Sequence, residues 1–134
     1  MTSVRYMLDT NIISDMVKNP QGKAAHRARL EQDKLCTSII VAAELRYGCA
    51  KKGSAPLLRK VEEILREIAI LAFDVPSDEN YGSIRSELET RGQSIGSNDL
   101  LIAAHACSMD LTLVTANLRE FARVPNMKIE NWLE

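Results

Sequence analysis

Of the 18 acidic residues in this chain, four that are far apart in sequence lie where an apolar segment begins or ends: Asp9, Glu44, Asp99 and Glu120. Asp9, for example, ends the apolar run 4–8, and Asp99 opens the run 100–104. Acids at the ends of apolar segments, rather than on solvated faces, indicate one pocket that needs several carboxylates. Because Mg²⁺ and Mn²⁺ prefer oxygen ligands, the pattern predicts a site for a hard divalent cation.

Carboxylates that converge without a cation would be costly to hold together. Two of them about 4 Å apart repel by roughly 4 kcal/mol at an effective dielectric near 20, and a third would raise a pKa or open the site. A bound divalent ion makes the net interaction with the carboxylates attractive. It can also activate a water and neutralise charge on a phosphoryl oxygen. The acids therefore suit phosphodiester hydrolysis, whereas histidines would suit zinc.

The size of the chain suits a single domain over residues 1–134 with one core. Hydrophobic residues make up 46% and charged residues 26%, which is ordinary for a soluble globular protein. Every apolar run is too short to span a membrane, and the N-terminus lacks the pattern of a secretory signal. We therefore expect a cytoplasmic protein with no membrane contact.

Charge and cysteine content narrow the class of protein further. A net charge of −1 argues against a broad nucleic-acid-binding surface, which would be strongly basic, although it allows a local one. The three cysteines are odd in number and lack a C-x-x-C spacing, so neither a disulfide framework nor a zinc site is favoured. We expect buried reduced thiols.

Short apolar strands alternate with helices along the whole chain. The strands are predicted at 4–8, 35–37, 70–73, 111–115 and, as an edge strand, 127–130. The predicted helices have as caps Thr10 or Asn11, Ser38, Ser77, and Ser97 or Asn98. This alternation predicts a parallel sheet covered on both faces. Ligands of such sheets bind beyond the carboxyl ends of the strands, where Asp9 and Thr115 are expected.

Each candidate residue also has a purely structural explanation. Asp9 could be a plain helix cap, and Asp99 could complement a helix dipole. Glu44 could equally be a ligand or half of a surface ion pair with Arg46 or Lys51. The segment 115–121 could be a polar turn. His105 is expected to be packed in the core or to face a partner, and not to act as a ligand.

Five segments, in the same order and at the same spacing, resemble a known family. They are 7–11, 38–48, 95–106, 113–121 and 130–132, and they include Met-Leu-Asp-Thr-Asn, Ala-Glu-Leu-x-Tyr-Gly and Gly-Ser-Asn-Asp-Leu-Leu. The chain is similar from end to end to the PIN-domain family, specifically to the VapC-type toxins of bacterial toxin–antitoxin pairs. This resemblance implies a single PIN-like α/β/α domain with a central parallel β-sheet flanked by helices.

The resemblance also implies an activity and its residues. It implies a Mg²⁺- or Mn²⁺-dependent endoribonuclease in which Asp9, Glu44 and Asp99 form the metal-holding acidic triad. Thr115 resembles the hydroxyl that supports the metal-bound water. Many members have a fourth aspartate where this chain has Asn117, so either Glu120 replaces it or the site has three acids.

Substrate and partners follow from the same resemblance. By this analogy the substrate is RNA, preferably tRNA or another structured RNA. Independently of the resemblance, the residues that we consider as RNA contacts are Asn11, Asn98, Arg85, Arg91 and Arg119. Such toxins form homodimers and are silenced by a cognate VapB-like antitoxin that inserts a segment into the active-site groove. The complex then binds promoter DNA, but only through the antitoxin.

Two other functions are compatible with parts of the sequence. A binding module without turnover would use the acids as helix caps and act with an antitoxin in autoregulation on promoter DNA; the missing fourth aspartate motivates this alternative. A receiver domain or a haloacid-dehalogenase-type phosphatase also carries an aspartate at a strand tip. The phosphatase normally has a second aspartate where Asn11 stands, and a receiver needs a lysine after a late strand that this chain lacks.

Overall fold

Five short parallel strands form the centre of the computed structural model, which describes residues 3–134. They are β1 (Tyr6–Leu8), β2 (Leu35–Ser38), β3 (Ala69–Leu71), β4 (Thr112–Val114) and β5 (Ile129–Glu130), in the spatial order β3-β2-β1-β4-β5. All five predicted strands are present with slightly different ends. Strands β1, β2 and β4 are buried along their whole length, as expected for the middle of a covered parallel sheet.

Seven α-helices connect and cover the strands. They are α1 (Thr10–Lys18), α2 (Lys23–Leu30), α3 (Ile39–Lys52), α4 (Ala55–Glu67), α5 (Ser77–Thr90), α6 (Ser97–Ser108) and α7 (Leu118–Phe121), with one 3₁₀ turn at Gln32–Lys34. Helix α1 packs against α2, α3 and α4, and α5 packs against α6. Because crossover connections between parallel strands are right-handed, α1–α4 lie on one face of the sheet and α5–α7 on the other. The α/β fold with a central parallel sheet is as predicted.

Successive strands are added first on one side of β1 and then on the other, so β1 and β4 are neighbours at the point where the strand order changes direction. From β1 the chain moves outward to β2 and β3, and it then crosses back to β4 on the other side of β1. Ligands of open α/β sheets bind at such a switch point, beyond the carboxyl ends of the strands. Asp9 follows β1 and Thr115 follows β4, so both residues lie at this crevice.

Helix starts differ from the prediction where polar side chains have distant partners. Asp9 itself caps α1, because its Oδ1 accepts a hydrogen bond from the Thr10 backbone N–H at 2.7 Å. The predicted caps Thr10 and Asn11 are therefore wrong. Helix α6 begins at Ser97 after Gly96, so the predicted caps Ser97 and Asn98 are wrong as well.

Two serines illustrate the same contrast. Ser38 caps α3 as predicted, because its Oγ accepts from the Ile40 N–H at 3.0 Å. Ser77 is instead the first residue of α5, and its Oγ is hydrogen-bonded to Ser108 Oγ at 2.8 Å. The hydroxyl of Ser77 bonds to another helix and caps nothing, so it was wrongly predicted as a cap.

Helix α6 is the most deeply buried helix. Its residues 102–106 have almost no solvent exposure, and this group includes His105, which confirms that His105 is a packed residue. A helix that is apolar on all sides is a core element. It therefore provides a firm base for Asp99 in its first turn.

Two expectations from composition can be compared with residues 3–134. All three cysteines are free thiols, and Cys36 and Cys49 are buried as predicted, whereas Cys107 is half-buried. In this part of the chain no helix combines the length and the apolar character that crossing a membrane requires. Residues 1 and 2, which the predicted domain includes, lie outside the described residues.

Two glycines of α3 provide a matched test of this helix. Gly53 ends the helix with φ +65°, a conformation that disfavours a side chain, so Gly53→Ala should lower the free energy of unfolding by about 1 kcal/mol. Gly48 lies inside the helix and an added Cβ would meet no atom within 4 Å. Gly48→Ala should therefore raise the free energy of unfolding by about 0.5–1 kcal/mol. Urea denaturation measures both, and changes of equal sign would contradict the assigned end of α3.

Candidate active site

Asp9 lies at the bottom of the crevice, buried where β1 ends. Its backbone N–H donates to Val114 O at 2.9 Å, which continues the ladder between β1 and β4. Its Oδ2 accepts from Thr115 Oγ1 at 2.8 Å. Burial raises the pKa of Asp9 above the ordinary value, the hydrogen bonds from Thr115 and Thr10 lower it, and the charge of Glu44 raises it further. Asp9 is thus a desolvated carboxyl group held by neutral donors.

Thr115 fastens the end of β4 to the start of α1. Its side chain is fully buried, and Oγ1 also accepts from the Asn117 N–H at 3.0 Å and from Asn11 Nδ2 at 3.4 Å. Asn11 Oδ1 in turn accepts from the Ala116 N–H at 2.9 Å. These bonds fix the direction in which the Asp9 carboxylate points.

Glu44 reaches the crevice from the middle of α3 and is held by two neutral side chains. Its Oε1 accepts from Thr10 Oγ1 at 2.6 Å, and its Oε2 accepts from Asn98 Nδ2 at 3.0 Å. The alternative of a surface ion pair with Arg46 is wrong, because Arg46 pairs with Glu62 at 2.9 Å. Glu44 therefore links the starts of α1 and α6.

Asp99 and Glu120 form the other side of the crevice. The pKa of Asp99 is raised to about 7, first by burial and then by the charges of Glu120, Asp9 and Glu44. Glu120 behaves in the opposite way. Its Oε1 accepts from the Gly96 N–H at 2.9 Å and its Oε2 from Asn117 Nδ2 at 2.6 Å, and these bonds lower its pKa. Near neutral pH Glu120 is therefore ionised, whereas Asp99, whose pKa is about 7, is partly protonated.

Carboxyl groups from four distant segments therefore meet in one crevice: Asp9, Glu44, Asp99 and Glu120. Among residues 3–134 none of the four has an ion pair within 4.0 Å. All four offer oxygen ligands, which suits Mg²⁺ or Mn²⁺, and a cation would relieve the repulsion that raises the pKa of Asp99.

The side chains would have to adjust to share one ion. Within the described part of the chain, no three acidic, histidine or cysteine residues are already arranged to hold a metal. The carboxylates of Glu44 and Glu120 accept hydrogen bonds from their neutral donors, so these side chains would have to turn to share an ion. The donor set fits a hard divalent cation, and its present geometry is that of separated carboxylates.

The predicted substrate-binding residues fall into two groups. Asn11 and Asn98 lie in the crevice and hydrogen-bond to its residues. The arginines are engaged elsewhere or exposed: Arg85 pairs with Glu89 at 3.0 Å, Arg91 donates to Arg123 O at 2.8 Å, and Arg119 is exposed on α7. Their contact with RNA stays a prediction.

A buried hydrogen bond behind the crevice was not predicted from the sequence. Ser38 Oγ and His105 Nδ1 are 2.8 Å apart, which joins the start of α3 to the second half of α6. The Glu44–Asn98 bond joins the middle of α3 to the start of α6, so the helices run antiparallel with two polar links. Burial lowers the pKa of His105, which keeps its ring neutral. The partners are far apart in sequence, and no local pattern reveals them.

Comparison with known proteins agrees with this geometry. The model of the PIN domain matches residues 6–127. The chain belongs to the PIN-domain family. Two similar relatives of this family are Ribonuclease VapC2 of Haemophilus influenzae and tRNA(fMet)-specific endonuclease VapC of Salmonella typhimurium. The first is 40% identical over 132 residues, covering 97% of this chain and 99% of the relative. The second is 39% identical over 131 residues, covering 96% and 98%.

A solved structure supports the same PIN-domain assignment. The structure of VapBC2 from Rickettsia felis, bound to a DNA fragment from its promoter, contains a chain that superposes on this one with a TM-score of 0.90 and 39% identity. The match covers 96% of this chain and 99% of that chain. The identification as a VapC-type PIN domain, made from five sequence segments, is confirmed, as is the fold.

The raised pKa of Asp99 predicts how stability depends on pH. Without metal, the folded protein keeps a proton on Asp99 up to about pH 7, whereas its ordinary pKa is 3.8. The folded state thus binds more protons in this window, and stability should fall as pH rises through it. Asp99→Asn should remove much of that fall. Urea midpoints in chelator at several pH values measure it.

The matched control is Asp78→Asn, which removes an exposed acid from the first turn of α5. This variant should keep the wild-type pH dependence. An Asp99→Asn protein whose stability falls with pH as steeply as that of the wild type would contradict the electrostatic coupling in the crevice.

Proposed function

We propose that this chain is a Mg²⁺- or Mn²⁺-dependent endoribonuclease and the toxin of a toxin–antitoxin pair. The observation that carries the proposal is the convergence of four carboxylates at the switch point of the sheet, none of which has an ion pair within 4.0 Å among residues 3–134. In this proposal Asp9, Glu44 and Asp99 hold the metal, and Glu120 contributes a fourth acid where Asn117 cannot.

The relatives support the chemical class of the substrate. One is named a ribonuclease and another a tRNA(fMet)-specific endonuclease, so RNA, and tRNA in particular, is the substrate that we propose here. The Rickettsia felis complex contains both VapB and VapC on promoter DNA. It supports a VapB-like antitoxin as partner and promoter DNA as a ligand of the complex, and DNA contact only through the antitoxin stays a prediction. A homodimer and a cytoplasmic location stay predictions.

The residues of the chain have distinct tasks in the proposed reaction. A bound divalent cation supplies an activated water and neutralises charge on the phosphoryl oxygens. The Thr10 N–H and the Thr115 hydroxyl keep the Asp9 carboxylate in one orientation. Asp9 therefore does not have to change rotamer before the reaction. Thr115 acts in this proposal by orienting Asp9 and not by contacting the attacking water, because its buried hydroxyl donates to Asp9 and already accepts from Asn117 N–H and Asn11 Nδ2. Asn98 keeps Glu44 directed at the crevice.

The direct test is cleavage of total cellular RNA by protein purified free of antitoxin. Cleavage should need Mg²⁺ or Mn²⁺ and should stop in chelator. Asp9→Asn and Asp99→Asn should each lower the rate on the order of 10²- to 10³-fold, because each removes a charge that the cation needs. Mapping the ends of the fragments identifies the RNA and the cut site.

The control for this test is again Asp78→Asn, which should cleave like the wild type. Full activity of either crevice variant would reject the assignment of the site. An inert wild-type protein that also binds no Mn²⁺ would leave the alternative, a partner-binding module that acts with an antitoxin in autoregulation on promoter DNA.

The role of Glu120 can be tested separately from the triad. Glu120→Gln keeps the size of the side chain and removes its charge, so the Kd for Mn²⁺ should rise about tenfold or more. Calorimetric titration with Mn²⁺ measures this change, and Glu79→Gln, an exposed glutamate of α5, is the control. An unchanged Kd would mean that the site has three acids.

A further inference from the structure

A cleft of about 190 Å³ begins at the acidic crevice and runs between α1, α3 and α4. One wall carries Thr10, Ser14 and Lys18 from α1, and the facing wall carries Glu44, Gly48 and Lys52 from α3. Residues four apart lie on the same side of a helix, so each wall is a row that descends its helix by two turns. We call this feature the lysine cleft.

The chemistry of the lysine cleft changes from one end to the other. It starts at the hydrogen-bonded pair Thr10 and Glu44 and ends at Lys18 and Lys52. Each lysine is eight residues farther along its helix, a distance of about 12 Å at 1.5 Å per residue. The floor between the ends is apolar and includes Leu57. A negative site and two cations are therefore joined by an apolar channel.

The two lysines carry charge that the protein leaves uncompensated. Both are exposed, and among residues 3–134 neither has an ion pair within 4.0 Å. Their neighbour Arg46 is neutralised by a two-pronged contact with Glu62. Two free ammonium groups in one cleft favour an anionic ligand.

We propose that the lysine cleft binds the RNA strand on one side of the scissile bond, with Lys18 and Lys52 contacting its backbone phosphates. This inference rests on the proposed function. A single polyanion satisfies both ends of the cleft, because one phosphate lies at the acidic crevice with its cation while the phosphates that follow reach the lysines. Lysine contacts a phosphate as a point charge, and such contacts position the strand without reading its sequence.

Gly48 leaves the space that the strand needs. It stands midway between Glu44 and Lys52, and an added Cβ would meet no atom within 4 Å. A bulky side chain here would extend into the cleft and not into the core. Gly48→Leu should therefore obstruct the RNA strand while the helix stays folded, since leucine is a good helix former.

Lys51 serves as a control that separates a structural role of the lysines from a role in RNA binding. Lys18 and Lys52 are in the last turns of α1 and α3, where a cation also stabilises the helix dipole. Lys51 shares the last turn of α3 but does not line the cleft. A dipole role predicts that Lys51 and Lys52 behave alike, whereas RNA binding predicts that only Lys52 matters.

The experiment uses a labelled oligoribonucleotide that contains the cut site mapped with the wild-type protein. The variant Lys18→Gln/Lys52→Gln is compared with Lys23→Gln/Lys51→Gln, which has the same net charge. The cleft variant should raise KM on the order of tenfold with little change in kcat. Its kcat/KM should also depend less steeply on salt, with a log–log slope shallower by roughly 0.7 for each lysine. The control pair should resemble the wild type.

Trimmed substrates locate the contact on the strand. Oligoribonucleotides shortened step by step on either side of the cut bond should lose kcat/KM with the wild type once the strand no longer reaches the lysines. That loss should occur on one side only, and it should be absent in the cleft variant. Gly48→Leu should show the same pattern, with a thermal unfolding temperature no lower than that of the wild type.

Three results would overturn the proposal. The cleft variant could match its control pair, or the side-specific loss could persist without the lysines. The cleft variant could also cleave RNA normally but bind purified antitoxin more weakly, which would assign the cleft to a protein segment. Wild-type protein that cleaves no RNA with Mg²⁺ or Mn²⁺ would instead reject the proposed function, and this inference with it. The two failures are therefore distinguishable.

Discussion

Repulsion among four carboxyl groups is the constraint on which the rest of the structure depends. Asp9, Glu44, Asp99 and Glu120 come from different elements, and burial together with the charges of the other three raises the pKa of Asp99 to about 7. A fold that only had to be stable would separate these groups. The sheet and the buried helix α6 hold them together nonetheless, so the stability of the core offsets the electrostatic cost of the crevice.

The way in which the acids are held explains why the crevice keeps its negative charge. Hydroxyl and amide donors bind them: Thr115 and Thr10 bind Asp9, Thr10 and Asn98 bind Glu44, and Asn117 binds Glu120. A lysine or arginine in any of these places would orient the carboxylate equally well but would neutralise it. Neutral donors fix direction and leave the charge for a cation. The basic residues lie outside this set of donors. Several are paired with acids, as Arg46 is with Glu62, whereas Lys18 and Lys52 have no ion pair within 4.0 Å among residues 3–134.

The antiparallel helices α3 and α6 determine where Glu44 and Asp99 lie relative to each other. The start of α3 is joined to the second half of α6 by Ser38 and His105, and the middle of α3 is joined to the start of α6 by Glu44 and Asn98. The first link is buried in the core, and the second forms part of the crevice. Because Glu44 and Asp99 sit on these two helices, the relative position of their carboxylates depends on how the helices pack, and not on any loop.

The sequence was sufficient for the strands, the fold class and the positions of the acids. Apolar runs of a few residues predicted all five strands, since burial on both faces leaves little choice of residue, and Asp9 and Thr115 were placed correctly at strand ends. The same reasoning failed at the caps of α1 and α6. Thr10, Asn11 and Asn98 have good capping side chains, and local propensity alone predicts that they cap. Their oxygens and amides instead bond to residues at least 34 positions away.

Sequence by itself thus determined which residue types meet at the carboxyl edge of the sheet, because hydrophobic periodicity fixes where each element ends. Only the tertiary structure decided which neutral donor holds each acid, that Glu120 joins the acids beside Asn117, and that Lys18 and Lys52 share a cleft with them. Those features depend on side-chain directions and helix packing between segments that are distant in the chain, and local sequence carries no information about either.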